Sequence, residues 1–225
     1  MPLIPSQYQQ IRTKMLPGDI VAFSGKTHFS GAIKWATSSS VSHVGVVCQA
    51  VSLAEGGVEG DVVIDIVEAT FLHRDPATGQ SAGGVLRNRL CHHIEHYEGH
   101  IWWLPLHASV RQRLDMEKFS RFLLDQSGKG YDAVQALKSG FDFADDVPFL
   151  RRTMRNEEDF SKLFCSELVA AALEAGGVIG QINASEVTPF DICTFNLFDE
   201  EYHQLKGEVL EIGGYNSRCP EKFGV

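Results

Sequence analysis

The chain has 225 residues, of which 44% are hydrophobic and 22% charged, and its formal net charge at pH 7 is −9. This balance is typical of a globular protein with a sizeable core, and the length fits one domain. A surface this acidic repels polyanions, which argues against nucleic acid and anionic membranes as partners.

Membrane insertion and export are not expected from the sequence. No apolar run approaches the roughly 18 residues that a membrane span requires. Residues 1–14 contain no basic region followed by an apolar stretch and a small-residue cleavage site, so we expect no signal peptide and a cytoplasmic location. The five cysteines show no CxxC spacing, which favours reduced thiols over a disulfide framework.

Three short strands are predicted in the first third of the chain. A Pro-Gly-Asp turn leads into the first of them in "LPGDIVAFSG" (16–25). The next two are "SHVGVVCQA" (42–50) and "DVVIDIVEAT" (61–70), separated by the glycine-rich "GGVEG". This hairpin-like spacing predicts an antiparallel meander. Between the first two strands, residues 25–42 are rich in Gly, Ser and Thr around Trp35, which indicates a loop or short helix.

Helices are predicted to dominate the second half. A last strand, "HIWWLPL" (100–106), precedes apolar residues in helical rhythm from 110 to 127, closed by Gly128. A shorter helix is predicted in "YDAVQALKSG" (131–140), and a further one in "LFCSELVAAALEAGG" (163–177), stopped by its glycine pair. Strands first and helices afterwards predict an α+β domain with helices on one side of an antiparallel sheet.

Cys165 is the candidate nucleophile. It is predicted to start its helix, where unpaired backbone N–H groups and the positive end of the helix dipole stabilise a thiolate. Val169 and Leu173 follow at i+4 and i+8, so Cys165 heads the stripe that is predicted to face the sheet. Taken alone, a cysteine is more often a small buried side chain. The charge of nearby Glu167 also disfavours a thiolate.

His43 and Glu68 complete a candidate catalytic set. His43 begins an apolar strand, and Gly45 on the same face leaves room for another group. A strand-end histidine alone is more often a surface residue. Glu68 continues the apolar face of its strand, a costly position for an unpaired carboxylate, whereas Asp65 on the opposite face is expected to be solvated. If the strands are neighbours, Glu68 can fix the tautomer of His43.

Taken together, these motifs resemble a known family. The order seen in circularly permuted papain-like proteins of the NlpC-type superfamily is matched by "LPGDIVAF", "SHVGVV", "DVVIDIVEAT", "GKGYDAV", "LFCSELVAAALEAGG" and "VTPFDI". The chain is most similar to the YiiX/YaeF-like group and more distantly to the lecithin:retinol acyltransferase-like group. The match spans residues 16–195, with gaps at 73–99 and 140–162 that we expect to be variable insertions in a single domain over 1–225.

The resemblance implies a permuted papain-like (NlpC-type) α+β fold, with an antiparallel sheet packed against the helix that carries the cysteine. It implies Cys165 as nucleophile, His43 as general base and then acid, and Glu68 as the orienting group. The backbone N–H of Cys165 would contribute to an oxyanion hole. The implied reaction is cleavage of an amide through a thioester acyl-enzyme. The candidate substrate-binding residues are Trp35, Thr37, Ser42, Tyr131 and Ser166.

The expected substrate is a small peptide, an amino-acid amide or an acyl compound, with no cofactor and no metal. Other interpretations stay open: an acyltransferase or thioesterase acting on lipid or acyl substrates, or a catalytically silent binding module of the same fold. The oligomeric state is not predicted.

A histidine-rich stretch, "CHHIEHYEGH" (91–100), offers a metal site as an alternative. The pairs His92/His96 and His96/His100 have the i, i+4 spacing that holds zinc on a helix. Gly99 and Tyr97 favour an irregular segment instead, so we expect a solvated polar connection.

Overall fold

The structure is a computed structural model that describes residues 2–25, 40–52, 62–74, 81–129 and 157–222. The strands are β1 (Leu3–Pro5), β2 (Ile20–Gly25), β3 (His43–Ser52), β4 (Val62–Arg74), β5 (Ser81–Arg89), β6 (Gly99–Leu104) and β7 (Tyr202–Lys206). The α-helices are α1 (Tyr8–Ile11), α2 (Leu90–His96), α3 (Ala108–Arg113), α4 (Met116–Gln126), α5 (Glu157–Ala175) and α6 (Pro189–Thr194). Short 3-10 helices lie at Arg12–Lys14, Ala184–Glu186 and Pro220–Lys222. None of these helices is long and apolar enough to cross a membrane.

One mixed sheet of seven strands organises the described part of the chain, in the order β1-β7-β6-β2-β3-β4-β5. The predicted meander is confirmed, because β2, β3, β4 and β5 are consecutive antiparallel neighbours. The expectation of a purely antiparallel sheet is wrong, since β1 pairs with β7 in parallel. The α+β class holds, with a mixed sheet.

Side chains of the central strands alternate between two apolar clusters. The larger cluster joins Ile20 of β2 to side chains of α5. The smaller cluster joins Val21 and Phe23 of the same strand to α1 and α2. The expectation of helices on one side only is therefore corrected. The physical reason is visible in β2, whose continuous apolar run is buried on both faces.

Helix α5 packs its cysteine-bearing stripe into the larger cluster. Cys165, Val169 and Leu173 are each 0% exposed, as the i, i+4, i+8 spacing predicts. Full burial of a Val or Leu side chain contributes about 1.5–3 kcal/mol to folding. The helix ends at Ala175, and Gly177 adopts a φ of +71°, which side chains disfavour. The glycine pair therefore ends the helix where the sequence predicts.

The single helix predicted over 110–127 is two helices in the structure. Helix α3 ends at Arg113 and α4 begins at Met116. Between them, the Asp115 carboxylate accepts a hydrogen bond of 3.1 Å from the Lys118 backbone N–H. An aspartate that bonds to backbone donors in this way favours a cap over a helix interior, so it separates the two helices.

Regular structure also forms where the sequence predicts an insertion. The described part of 73–99 includes strand β5 and helix α2 as well as the end of β4. Strand β5 lies at the sheet edge, with β4 as its strand neighbour, which suits its polar, glycine-bearing sequence. Of the other expected insertion, residues 140–156 lie outside the described residues, as does the helix predicted at 131–140.

Asp19, in the "LPGD" turn, is a buried anchor between the turn and strand β6. The residue is 0% exposed. The carboxylate accepts hydrogen bonds from the Leu16 N–H at 2.8 Å, from Trp103 Nε1 at 2.9 Å and from the Leu106 N–H at 2.9 Å. It also pairs with the guanidinium of Arg111. The motif residue therefore has a structural role.

Asp19→Ala should lower the free energy of unfolding by about 3–5 kcal/mol, because it leaves three donors and the Arg111 charge without their acceptor. Urea unfolding followed by circular dichroism measures this loss. Asp115→Ala is the control, since it removes an exposed carboxylate that caps α4 and should cost much less. Equal losses for the two variants would contradict the anchoring role of Asp19.

Candidate active site

His43 is held at the first position of β3 by the residue before it. The backbone N–H of Ser42 donates to the Phe23 carbonyl at 2.8 Å, and the Ser42 hydroxyl accepts from the Gly25 N–H at 3.3 Å. These bonds tie the start of β3 to the end of β2. The His43 side chain is 18% exposed, and its ring centroid lies 5.4 Å from that of Phe23. The imidazole is therefore fixed by its backbone and by ring packing.

Glu68 reaches His43 from the neighbouring strand, as the strand pairing predicts. In the register of β3 and β4, Val46 faces Val67. A Cβ built on Gly45 would lie 3.4 Å from the Glu68 Cβ, so the glycine permits the close approach of the two strands. Glu68 Oε2 lies 2.6 Å from His43 Nε2, and the residue is only 2% exposed. The carboxylate is buried and paired.

His43 joins this carboxylate to Cys165 on α5. The imidazole also hydrogen-bonds to the Cys165 side chain, which is buried in the larger cluster. Because a carboxylate can only accept, the bond to Glu68 keeps a proton on Nε2 of His43. In the neutral imidazole, Nδ1 then carries the lone pair and can take a proton from the thiol.

The position of Cys165 in its helix differs from the prediction. Helix α5 begins at Glu157, so Cys165 lies more than two turns inside it. At such a position the backbone N–H donates to the carbonyl four residues earlier. From the sequence, the helix start is expected to stabilise a Cys165 thiolate and the Cys165 N–H to contribute to an oxyanion hole. Both expectations are wrong, because Cys165 lies inside the helix. Stabilisation of a thiolate falls to His43.

The charges of the site reinforce one another. Burial would lower the pKa of His43, but the negative charge of a Cys165 thiolate, with hydrogen bonds to Cys165 and Glu68, raises it from 6.5 to about 10. Burial would raise the pKa of Glu68, but hydrogen bonds from His43 and His93 hold it well below its ordinary value of 4.5. The environment therefore favours an imidazolium beside an ionised carboxylate.

Two residues that the sequence analysis did not assign to this site complete the surroundings of the carboxylate. His93 Nε2 lies 2.8 Å from Glu68 Oε1, and Asn88 Nδ2 donates to the same oxygen at 2.7 Å. The ring of Phe23 packs on both imidazoles, 5.4 Å from His43 and 5.2 Å from His93. The site thus contains two histidines on one carboxylate.

A helical signal could have placed His93 on the buried face of a helix, although not on Glu68. The residues Leu90, His93, Ile94 and Tyr97 follow the i, i+3, i+4, i+7 pattern of one helix face. The expectation of an irregular, solvated segment at 91–100 is wrong, because Leu90–His96 is helical and the His93 side chain is 14% exposed.

The other histidines of residues 91–100 do not form a metal site with His93. His92 and His96 are exposed and pack on each other with ring centroids 4.9 Å apart. In the described ranges, no group of three or more His, Cys, Asp or Glu residues is arranged to hold a metal ion.

The residues expected to bind substrate are placed as follows. Ser42 is 7% exposed and serves the strand junction, and Ser166 is 0% exposed and donates its hydroxyl to the Val187 carbonyl at 2.5 Å. Both hydroxyls are thus tied to backbone carbonyls, Ser42 to that of Phe23. The remaining three, Trp35, Thr37 and Tyr131, lie outside the described residues.

Asp65 is expected to be solvated, but in the structure its carboxylate is partly buried and paired. Its side chain is 17% exposed, and its Oδ2 lies 2.6 Å from Nη2 of Arg87 on β5. The two carboxylates of β4 are therefore both paired, Asp65 with an arginine and Glu68 with histidines.

The arrangement supplies a thiol, a base with a defined tautomer, and a carboxylate that orients the base. This combination can activate a sulfur nucleophile and return a proton to a leaving group. A scan against protein-family models finds no match for this chain, and a search of the curated proteins finds none.

Proposed function

We propose that this chain is a cysteine-dependent hydrolase that cleaves an amide bond, in a small peptide or an acyl amide, through a thioester acyl-enzyme. The observation that carries the proposal is the continuous line of contacts from Glu68 through His43 to Cys165. Acyl transfer by a thiol needs a nucleophile, a base beside the nucleophile, and a group that orients the base. A cysteine that only fills the core needs none of them.

In the first half of the proposed reaction, Nδ1 of His43 takes the thiol proton of Cys165. The sulfur attacks the carbonyl carbon, and the tetrahedral intermediate collapses as the carbon–nitrogen bond breaks. The His43 imidazolium gives its proton to the departing amine, leaving a thioester on Cys165. Glu68 accepts the Nε2–H throughout and stabilises the imidazolium.

In the second half, water replaces the amine. His43 takes a proton from the water as its oxygen attacks the thioester carbonyl. The carbon–sulfur bond then breaks, the carboxylic acid leaves, and the proton returns to the sulfur of Cys165. The enzyme is restored with no cofactor and no change of oxidation state.

The proposal extends to the fold. A permuted papain-like arrangement is supported by the chain order, in which the histidine strand precedes the cysteine helix. It is also supported by the packing of α5 against the sheet that carries His43 and Glu68.

The test is capture of the acyl-enzyme. The protein is incubated with a panel of N-acyl 4-nitroanilides, amino-acid amides and 4-nitrophenyl esters, quenched in acid, and analysed by peptide mass spectrometry. We expect the acyl mass on the peptide that contains Cys165, and none in Cys165→Ala. Cys193→Ala is the control, because Cys193 is also fully buried in the larger cluster, and it should acylate like the wild type.

The same experiment separates the rival functions. Free carboxylic acid as the product supports a hydrolase, whereas acyl transfer to an added amine in place of water supports a transferase. An adduct that persists in Cys165→Ala would disprove the proposed nucleophile. No adduct and no product across the panel would favour a binding module.

A further inference from the structure

We propose that His93 is a positioning residue of this site. Together with Asn88 it holds Oε1 of Glu68, and it thereby keeps the other oxygen, Oε2, on His43. The inference rests on the proposed function, since it assigns a role in activating Cys165. Its basis is the convergence of three elements on one buried carboxylate: β3 with His43, β5 with Asn88 and α2 with His93.

The hydrogen bonds divide unequally between the two oxygens of Glu68. Oε1 accepts from both His93 and Asn88, at 2.8 Å and 2.7 Å, while Oε2 accepts from His43 at 2.6 Å. A carboxylate held on both oxygens cannot rotate without breaking bonds on each side. The two hydrogen bonds to Oε1 form a clamp and therefore leave Oε2 as the acceptor for His43, the proposed base.

Burial makes this clamp matter for the charge of Glu68 as well as for its orientation. The residue is 2% exposed, so water does little to stabilise its ionised form. Donors from His43, His93 and Asn88 take the place of water. If the His93 donor is lost, the pKa of Glu68 should rise, and the carboxylate should accept a proton at a higher pH than in the wild type.

The ring of His93 is fixed by packing as well as by its hydrogen bond. Phe23 lies edge-on to His93 at 5.2 Å, and Tyr97 packs edge-on to the same Phe23 ring at 5.2 Å. A phenylalanine at position 93 would keep an aromatic ring against Phe23 and remove the donor to Glu68. A glutamine would lose the ring but keep an N–H of similar reach.

The groups that surround Glu68 determine the direction of the expected pH effect. They are His43 from β3, His93 from α2 and Asn88 from β5, with Cys165 of α5 and Tyr97 beyond them. Protonation of Glu68 replaces its acceptor with a hydroxyl and removes the charge that stabilises imidazolium at His43. Activation of Cys165 should therefore fail at low pH, and should fail at a higher pH once His93 cannot donate.

The test follows the alkylation rate of Cys165 by iodoacetamide from pH 4 to pH 8, with peptide mass spectrometry as the readout. In His93→Phe we expect the acid limb to move up by about one pH unit, which lowers the rate on that limb by about tenfold. His93→Gln should restore the wild-type limb. His92→Gln, an exposed histidine on the same helix, should leave it unchanged.

A second readout separates failure of the clamp from failure of the proposed function. NMR titration of the His43 ring reports its pKa whether or not Cys165 is a nucleophile, and His93→Phe should lower that pKa. If wild-type Cys165 labels no faster than exposed Cys219, the proposed function fails and the titration alone decides the clamp. An unchanged titration of His43 in folded His93→Phe overturns the proposal. If His93→Phe does not fold, Asn88→Ala removes the other donor and should shift His43 in the same direction.

Discussion

We expect Cys165 to be alkylated rapidly at pH 6, and replacing His43 with alanine should abolish this reaction and lower turnover by about 10³-fold or more. The physical reason is that Cys165 lies inside α5, away from the helix start, so the imidazole is the group positioned to take its proton. Cys165→Ala should remove turnover altogether. Peptide mass spectrometry after timed exposure to iodoacetamide follows all five cysteines in one experiment.

The other cysteines give an internal scale for this reaction. Burial raises the pKa of the Cys48 thiol to about 11, and it also raises the pKa of Cys193. Neither should react at pH 6. Cys91 and Cys219 are exposed and report how fast an accessible thiol reacts. We expect wild-type Cys165 to label about tenfold faster than either of these two, because the thiolate is the reactive form and His43 can take the proton of Cys165.

A matched histidine tests whether the effect is specific. His203 is also partly buried, stacked on Trp103 at 4.8 Å, and it lies on β7. His203→Ala should leave the labelling of Cys165 unchanged. If Cys165 reacts equally fast in His43→Ala, the imidazole is not its base. If the wild-type thiol reacts more slowly than Cys219, Cys165 is only a buried core residue, in keeping with its 0% exposure.

The line from His43 to Glu68 could be predicted because it depends on local patterns. Alternation placed Glu68 on the apolar face of its strand, and the spacing of the two strands predicted that they pair. The i, i+4, i+8 stripe predicts that Cys165 faces the sheet. Its contact with His43 joins α5 to β3, which are distant in the chain, so the family resemblance implies this contact and no local pattern does.

The start of α5 is not predicted, because residues 140–162, with acidic and basic side chains in turn, are expected to form a variable insertion. The segment from Glu157 to Lys162 is polar, but Glu and Lys are good helix formers, and acids in a first turn complement the helix dipole. The helix therefore extends past the apolar stripe. This moved Cys165 away from the free N–H groups and changed how its thiolate can be stabilised.

The contacts of Asn88 and His93 could not be predicted because they depend on register and on the sheet edge. In the pairing of β4 with β5, Ile66 faces Asn88 and Glu68 faces Leu86, so Asn88 is a diagonal neighbour of Glu68. A shift of one residue would turn Asn88 to the other face. The polar sequence of β5 does not specify that register.

Glu68→Gln should keep the fold and lower turnover by about 10²-fold, less than the loss of the base itself. A glutamine can still accept from Nε2 of His43, but it carries no charge to stabilise the imidazolium. Asp65→Asn is the matched control, because it removes the same charge from the same strand at a residue that pairs with Arg87. We expect Asp65→Asn to leave turnover unchanged, and equal losses would show a general charge effect.

The same substitution should change the pH dependence of stability in a defined direction. The pKa of His43 is raised from 6.5 to about 10, so its interactions stabilise the fold fully below pH 6.5 and lose that effect as the pH rises through about 10. The pKa of Glu68 is lowered, so its contribution is present above pH 4.5 and is lost as the pH falls further. The free energy of unfolding of the wild type should therefore be highest between pH 4.5 and pH 6.5, and it should decline at lower and at higher pH.

In Glu68→Gln, the alkaline decline between pH 6.5 and 10 should become shallower, because the hydrogen bond to the carboxylate and its charge both help to raise the pKa of His43. NMR titration of the His43 ring should give a pKa shifted back toward 6.5, the ordinary value. Urea unfolding at several pH values measures the corresponding change in free energy. A ring that titrates identically in the variant and the wild type would contradict the effect of Glu68 on the charge of His43, and would leave Cys165 and burial as the determinants of its pKa.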